Sequence, residues 1–243
     1  VSAPAIVIGG GIVGLSLAVG MAEAGLAVII LDGEDAEPRA SYGNAGLIWV
    51  QGKGLNHPPY AHWTRRSAAL WPEFATDLLA ATGIDVEYDR HGGFNLCLSE
   101  AELEARAAMV EQSAARPGMP DDVAIVDPAF IREKLPEIGS DVIGASWCPA
   151  DGHVNPLFLS QALTIRARGL GVEIRRGEKA EAIAMAGSQL TVRTQSDVYR
   201  AGRVVVAAGL ATERIAATAG MTVRLKPVRG QIVVTERLPP RIF

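Results

Sequence analysis

The stretch Ala5–Gly14, Ala-Ile-Val-Ile-Gly-Gly-Gly-Ile-Val-Gly, constrains this chain more than any other. Ile6, Val7 and Ile8 form a short, unbroken, β-branched run, as a strand buried on both faces of a parallel sheet requires. The run stops on three glycines, and Gly9, Gly11 and Gly14 fall in the spacing G-x-G-x-x-G. In that spacing the first glycine permits a tight turn, the second lets a pyrophosphate approach the backbone, and the third lets helix pack on strand. The N–H groups at the helix start then face the phosphates.

Glycine is common here, 26 of 243 residues, so the triplet gains its weight from context. A helical stretch from about Gly11 to Ala24 is followed by Gly25, placed as a C′ glycine, and by a second apolar strand, Ala27–Leu31, ending at Asp32. Asp32 lies 18 residues after Gly14, close to the separation of about 20 at which an acid accepts hydrogen bonds from a dinucleotide ribose. The competing reading of Asp32 is a polar strand end opening an Asp32-Gly33 turn.

Apolar residues make up 49% of the chain, which points away from disorder and towards one large or two small domains. The net charge of −4 and the lack of any basic block argue against nucleic acid or an anionic membrane surface as partner. Cys97 and Cys148 form no C-x-x-C pair; they read as core residues in a reducing, cytoplasmic setting, with peripheral attachment to an inner membrane left open. Ala5–Leu31 carries one charge, Glu23, and is apolar enough to mimic a membrane span, but Gly9–Gly11 split it into strand and helix. No Lys or Arg precedes it, so it does not read as a signal peptide.

Beyond Asp32, residues 33–60 read as a loop rich in small residues, including Ser41-Tyr42-Gly43-Asn44-Ala45-Gly46. Residues 62–81 have helical apolar spacing, with a kink or a second start expected at Pro72 and with Trp63 and Trp71 on the packed face. A strand at 94–98 leads into the capping box Ser99-x-x-Glu102; Asp127-Pro128 and Asn155-Pro156 mark two further helix starts, the second opening a helix over 157–170. Strands follow at 172–174, 180–185, 190–194 and 203–207, then a helix at 211–219. The order β-α-β, a long excursion, then β-α returning to the sheet implies a nucleotide domain interrupted by a second domain. His57, His62, His91 and His153 show no metal-binding spacing, and no G-x-S-x-G or P-loop occurs. No side chain stands out as nucleophile or base, which suits chemistry carried by a cofactor.

With these pieces placed, the sequence resembles the FAD-dependent amine and D-amino-acid oxidoreductases, the family of glycine, sarcosine and D-amino-acid oxidases and dehydrogenases. Four stretches carry the likeness: Ile6–Ser16, Ser41–Ile48, Val204–Gly209 and Lys226–Gln231. The Asn44-Ala45-Gly46 stretch looks most like the D-amino-acid dehydrogenase and opine-oxidase-subunit branch. The implied fold is α/β, an FAD-binding Rossmann-like domain of the GR2 type interrupted by an α+β substrate domain with a mostly antiparallel sheet. Residues 1–50 and 151–222 would form the FAD domain, 51–150 the first part of the substrate domain, and 223–243 the start of its sheet.

The resemblance also implies roles. Gly9, Gly11, Ile12, Val13 and Gly14 would wrap the FAD pyrophosphate, and Asp32, followed by Gly33, would take the adenosine ribose. Ser41, Asn44, Ala45, Gly46 and Leu47 would run under the pyrophosphate towards the isoalloxazine ring. The backbone of Ala180, where the family usually has Val, would hold adenine, and Ala207, Ala208 and Gly209 would close over the dinucleotide. Arg229 and Gln231 would begin the roof of the substrate pocket, Arg229 being equally readable as an ordinary strand-start charge. The implied reaction is hydride transfer to the flavin from the nitrogen-bearing carbon of a small amine, D-amino acid, opine or imino acid. The alternatives are a non-catalytic FAD-binding subunit of a multi-chain dehydrogenase and an NAD-dependent dehydrogenase. The family's C-terminal third has no counterpart in these 243 residues, so a second chain or a further segment is expected to complete the site, and 1–243 alone to hold FAD weakly.

Overall fold

A computed structural model describes residues 3–33, 39–187 and 189–232. The chain divides into two compact units. One comprises the described parts of Val1–Asn44, Asp77–Val86 and Pro156–Ile232, the other those of Ala45–Thr76 and Glu87–Asn155. The divisions expected at 50 and 150 therefore fall at 44/45 and 155/156, and the first unit also takes 77–86.

In the first unit, β1 (Ala5–Ile8), β2 (Val28–Asp32), β8 (Glu173–Arg176) and β12 (Arg203–Val206) form a wholly parallel sheet in the order β12-β1-β2-β8. β1 is interior, with Val7 opposite both Val205 and Ile30, and all four of its residues are buried, so its apolar run needs no alternation. The helix α1 (Ile12–Glu23) crosses from β1 to β2 and ends in a Schellman motif: Leu26 N–H donates to the Met21 carbonyl and Gly25, at φ +81°, to that of Ala22. α5 (Pro156–Gly169) packs beside it, and Arg166 pairs with Glu23 at 2.8 Å. On the opposite face, Ile6, Ile8 and Leu31 pack against an antiparallel layer of β9 (Ala180–Ala186), β10 (Gln189–Thr194) and β11 (Val198–Ala201), together with Ile215 of α6 (Thr212–Thr218). Each of these fully buried aliphatic side chains contributes roughly 1.5–3 kcal/mol.

The second unit holds β3 (Leu47–Ile48) paired with β7 (Gly152–His153), and an antiparallel sheet in the order β4 (Gly93–Cys97), β6 (Gly144–Cys148), β5 (Ala124–Val126). Ile131, Val142 and Ala145 form its core with Phe94 and Val126. Local capping starts its helices. Ser99 Oγ accepts from Glu102 N at the head of α3 (Glu100–Ala114), while the Glu102 carboxylate reaches back to Leu98 N at 2.7 Å; Asp127 accepts from Phe130 N at the head of α4 (Pro128–Lys134).

Three expectations are corrected. α2 (Pro58–Thr82) begins four residues earlier than expected, because Pro58 and Pro59 are admitted to a first turn that needs no N–H. It also runs through Pro72 without ending: one N–H is lost, but Trp71 stacks on Tyr88 at 5.8 Å and meets Phe74 edge-on, and Thr76 Oγ1 donates to the Pro72 carbonyl. Trp63 is not a packed residue; it is 69% exposed and meets Tyr60 edge-on.

A Cβ added at Gly14 would stand 1.9 Å from the Gly9 carbonyl oxygen, whereas one at Gly20, on the exposed side of the same helix, would meet nothing within 4 Å. Gly14→Ala is therefore expected to destabilise the protein by about 3 kcal/mol. Gly20→Ala is expected to stabilise it by about 0.5–1 kcal/mol. Urea unfolding midpoints of the two variants check the opposite signs.

The thiols of Cys97 and Cys148 are both buried and unbridged; burial pushes the pKa of Cys97 up and that of Cys148 to about 11. At pH 8 only about one Cys148 in a thousand is then thiolate. Ellman's reagent is expected to find neither thiol in the native protein and both in guanidinium; rapid native labelling would contradict the burial.

Candidate nucleotide site

The ends of β1 and β12 lie side by side, and from there the chain leaves the sheet in opposite senses, first towards β2 and later to α6. That is the switch point at which open α/β sheets bind ligands. Gly9 turns at φ +109°, and a Cβ on it would sit 2.4 Å from the Ala207 carbonyl oxygen, so the glycine turn and Ala207 are in direct contact. Ala207 N–H donates to the Ile8 carbonyl, and Gly209, at φ +55°, opens a short 3-10 turn over Gly209–Ala211 that leads into α6. The turn after β1 thus brings Gly9 against Ala207 and Ala208.

The N-terminus of α1 is built without its own cap. Its N-cap is Gly11, which has no side chain to offer, and its first turn holds no acid. One donor is satisfied from a distance: Ser41 Oγ accepts from Ile12 N–H at 3.0 Å, and a Cβ on Gly11 would crowd that same oxygen at 2.9 Å. Ser41 is itself held by Asn44, whose Nδ2 donates to the carbonyls of Ala40 and Ser41. The open positive end of α1 and the small residues around it suit a phosphate.

Asp32 closes β2 with its side chain nearly buried, and Arg39 Nη1 donates to its Oδ2 at 2.9 Å. Gly10 gives this carboxylate its room, since a Cβ there would stand 2.6 Å from Oδ2. Gly33 follows against Lys179, and Ala180, at the start of β9, packs in the same core as Leu31 while its carbonyl accepts from Arg214 at 3.5 Å. A cleft of about 230 Å³ opens here, lined by Gly10, Leu15, Asp32, Arg39, Tyr42, Thr164, Ile174 and Arg176. Arg39, Thr164 and Arg176 were not singled out from the sequence. Arg39, seven residues after Asp32, offers only a lone cation as a signal.

The second unit carries the other small-residue positions. Ala45 is exposed, Gly46 turns at φ +69° and accepts from Val154 N–H, and Leu47, 61% exposed, pairs with His153. The segment is anchored behind them by a buried polar cluster. Asp151 Oδ1 accepts from Val50 N–H at 2.5 Å and Gln51 N–H at 3.3 Å, and its Oδ2 from Gln51 Nε2 at 2.7 Å. Gln51 Nε2 also donates to the Gly93 carbonyl, and Gln51 Oε1 accepts from Ser146 Oγ.

The strand expected to begin at 223 is absent from 223–232: these residues pair with no described strand, and Arg229 and Gln231 are exposed. A strand exists only by pairing, and apolar residues at 225, 228 and 232 do not supply a partner. Residues 233–243 of that expected sheet lie outside the described residues. Among the described residues no group of three or more His, Cys, Asp or Glu is placed to hold a metal, and no helix is long and apolar enough to cross a membrane.

Comparison with known proteins accounts for this geometry. An opine oxidase subunit of Rhizobium meliloti is 38% identical over 232 residues, which is 95% of this chain and 62% of that protein. Glycine oxidase of Bacillus subtilis (strain 168) is 26% identical over 93% of this chain and 59% of its own length. This chain thus spans about three fifths of these relatives. The crystal structure of glycine oxidase from Bacillus cereus ATCC 14579 superimposes with a TM-score of 0.75 at 27% identity, over 89% of this chain and 58% of that one. A doubly covered parallel sheet, a glycine turn at its switch point and a match from residue 5 to residue 242 to the family model of FAD dependent oxidoreductases have one reading: this chain belongs to that FAD-dependent family.

Proposed function

We propose that the protein of which these residues are part oxidises a small amine or amino acid, of the opine, imino-acid or D-amino-acid kind, at the carbon that bears nitrogen. The observation that carries this reading is the Gly9–Gly14 turn, which meets the Ala207 carbonyl on one side and opens beside the Asp32 cleft on the other. The residues fit an FAD: a glycine-capped helix start for the pyrophosphate, a nearly buried carboxylate for the ribose hydroxyls, and a cleft wide enough for the adenosine end. When bound, FAD supplies the hydride acceptor, and the resulting imine is open to hydrolysis. The chain's own part is binding and orientation. Val13 and Gly14 offer helix-start N–H groups beside Ile12, whose own N–H is held by Ser41; Asp32 and Arg39 define the ribose end, and Ala207–Gly209 cover the turn. Ala45–Leu47 line the approach to the ring, Ala180 contributes backbone to the adenine site, and Arg229 and Gln231 belong to the substrate side. No general base is needed from the side chains for a hydride route.

A second reading is favoured by one relative's name, which makes that protein one subunit of an oxidase. Here the chain would bind FAD while a partner completes the substrate pocket. In both readings the setting is cytoplasmic, in keeping with two buried, unbridged cysteines. The full-length protein is expected to purify with visible flavin absorption. Mixed anaerobically with D-amino acids, N-methylglycine, imino acids and opines, it is expected to lose that absorption with at least one. Reduction by a 2-hydroxy acid in place of every amine would overturn the substrate class, and tight FAD with no reduction until a partner chain is added would select the subunit reading.

Ser41→Ala removes the only side-chain acceptor on the first turn of α1 among the described residues. Loss of a cap of this kind costs about 1–2 kcal/mol of folding stability, so the unfolding midpoint of the apoprotein is expected to fall. Urea unfolding of the apoprotein checks it, and an unchanged midpoint would show that Ser41 Oγ does not cap the helix.

A further inference from the structure

Asp151 is completely buried and forms no ion pair among the described residues. Burial raises its pKa, and the N–H groups of Val50 and Gln51 oppose that rise. The donors converge on it from one short segment, about 100 positions away in sequence. The Gln51 amide cannot turn over to suit a different partner, because its Nε2 is shared with the Gly93 carbonyl and its Oε1 is held by the Ser146 hydroxyl. Directly after Asp151 the chain runs antiparallel to the same segment: Gly152 pairs with Ile48, His153 with Leu47, and Val154 N–H donates to the Gly46 carbonyl. Asp151 therefore closes one end of a ladder whose other end is Gly46. A carboxylate that accepts several N–H groups in a dry site fixes backbone more firmly than an apolar contact, which has no direction.

We propose that Asp151 is a positioning residue that fixes the backbone of Gly46–Gln51 in the shape the isoalloxazine end of FAD meets. The proposal rests on the function proposed above, in which Ala45–Leu47 approach the ring. Asp151 acts through that segment and touches no reacting atom.

The test uses the full-length protein with FAD. Asp151→Asn keeps the side chain's shape but sets its Nδ2 against Gln51 Nε2, donor against donor. Amide hydrogen exchange at Val50 and Gln51 is expected to quicken about 10-fold or more, and the Kd for FAD to rise about 10-fold, with a shift in the visible spectrum of the bound flavin. Ser146→Ala, which removes only the hydroxyl on Gln51 Oε1, is expected to lower the melting temperature while leaving that spectrum unchanged, a split that a merely structural role for Asp151 would not produce. Should Asp151→Asn fail to fold, Gln51→Met keeps both backbone bonds to Oδ1 and loses the side-chain bonds to Asp151 Oδ2, the Gly93 carbonyl and Ser146 Oγ; a smaller spectral shift with Val50 still protected is expected. Unchanged exchange at Val50 and Gln51 in the Asp151 variant overturns the proposal, and so does quickened exchange with an unchanged spectrum and Kd, while FAD binding itself stands. Wild-type protein that takes up no FAD overturns the proposed function and this proposal together.

Discussion

The absence of a side chain at Gly9 and Gly14 is the constraint on which the first unit depends. β1 can end, turn and send α1 back over its own strand only because the Gly9 carbonyl lies where a Cβ of residue 14 would stand. The same turn lets the Ala207 carbonyl in against Gly9, and this lets β12 pair with β1 along its full length. With α1 on one face and the layer of β9, β10 and β11 on the other, the Ile6-Val7-Ile8 run is covered on both faces. Strand pairing, helix packing and the switch-point crevice thus share one local cause.

That cause also carries an energetic cost at the site. A helix start leaves four N–H groups without intrahelical partners, and most helices answer with a capping side chain. α3 and α4 do so through Ser99 and Asp127. α1 does not: Gly11 leaves the donors open, and Ser41 satisfies only that of Ile12. A phosphate bound there would gain both the N–H groups and the positive end of the helix. The stabilisation that α1 lacks by itself is of the kind a bound anion returns.

What could be read in advance follows from how local each cause is. The strands β1, β2 and β12 and the helices α3 and α4 were legible because an apolar run, a cap or a proline lies within a few residues of each boundary. β5, three residues with Ala124 and Ile125 exposed, and the two-residue pair β3 and β7 have no such signature; they exist because a distant strand offers hydrogen bonds. Trp63 misled because helical spacing marks a face without saying that anything covers it. The glycine turn and Asp32 were visible through spacing, yet the partner of Asp32, Arg39, was not, since an ion pair between residues seven apart leaves no periodic trace.

Asp32 and Asp151 present the same difficulty, a carboxylate withdrawn from water, and meet it in different ways. Asp32 has a cation, Arg39, at the edge of an open cleft, so its charge is balanced while it remains able to accept from a ligand's hydroxyls. Asp151 has no cation among the described residues; its acceptors are occupied by the N–H groups of two adjacent residues and no water-filled space is needed. The donor to Asp32 is a single side chain seven residues further on, whereas the donors to Asp151 belong to the backbone and amide of the segment it holds. The first arrangement suits recognition, where partners must change, and the second suits fixing a backbone, where they must not. The same side-chain chemistry is thus separated into two uses by what it holds: a side-chain cation at the edge of a cleft, or the backbone of a buried segment.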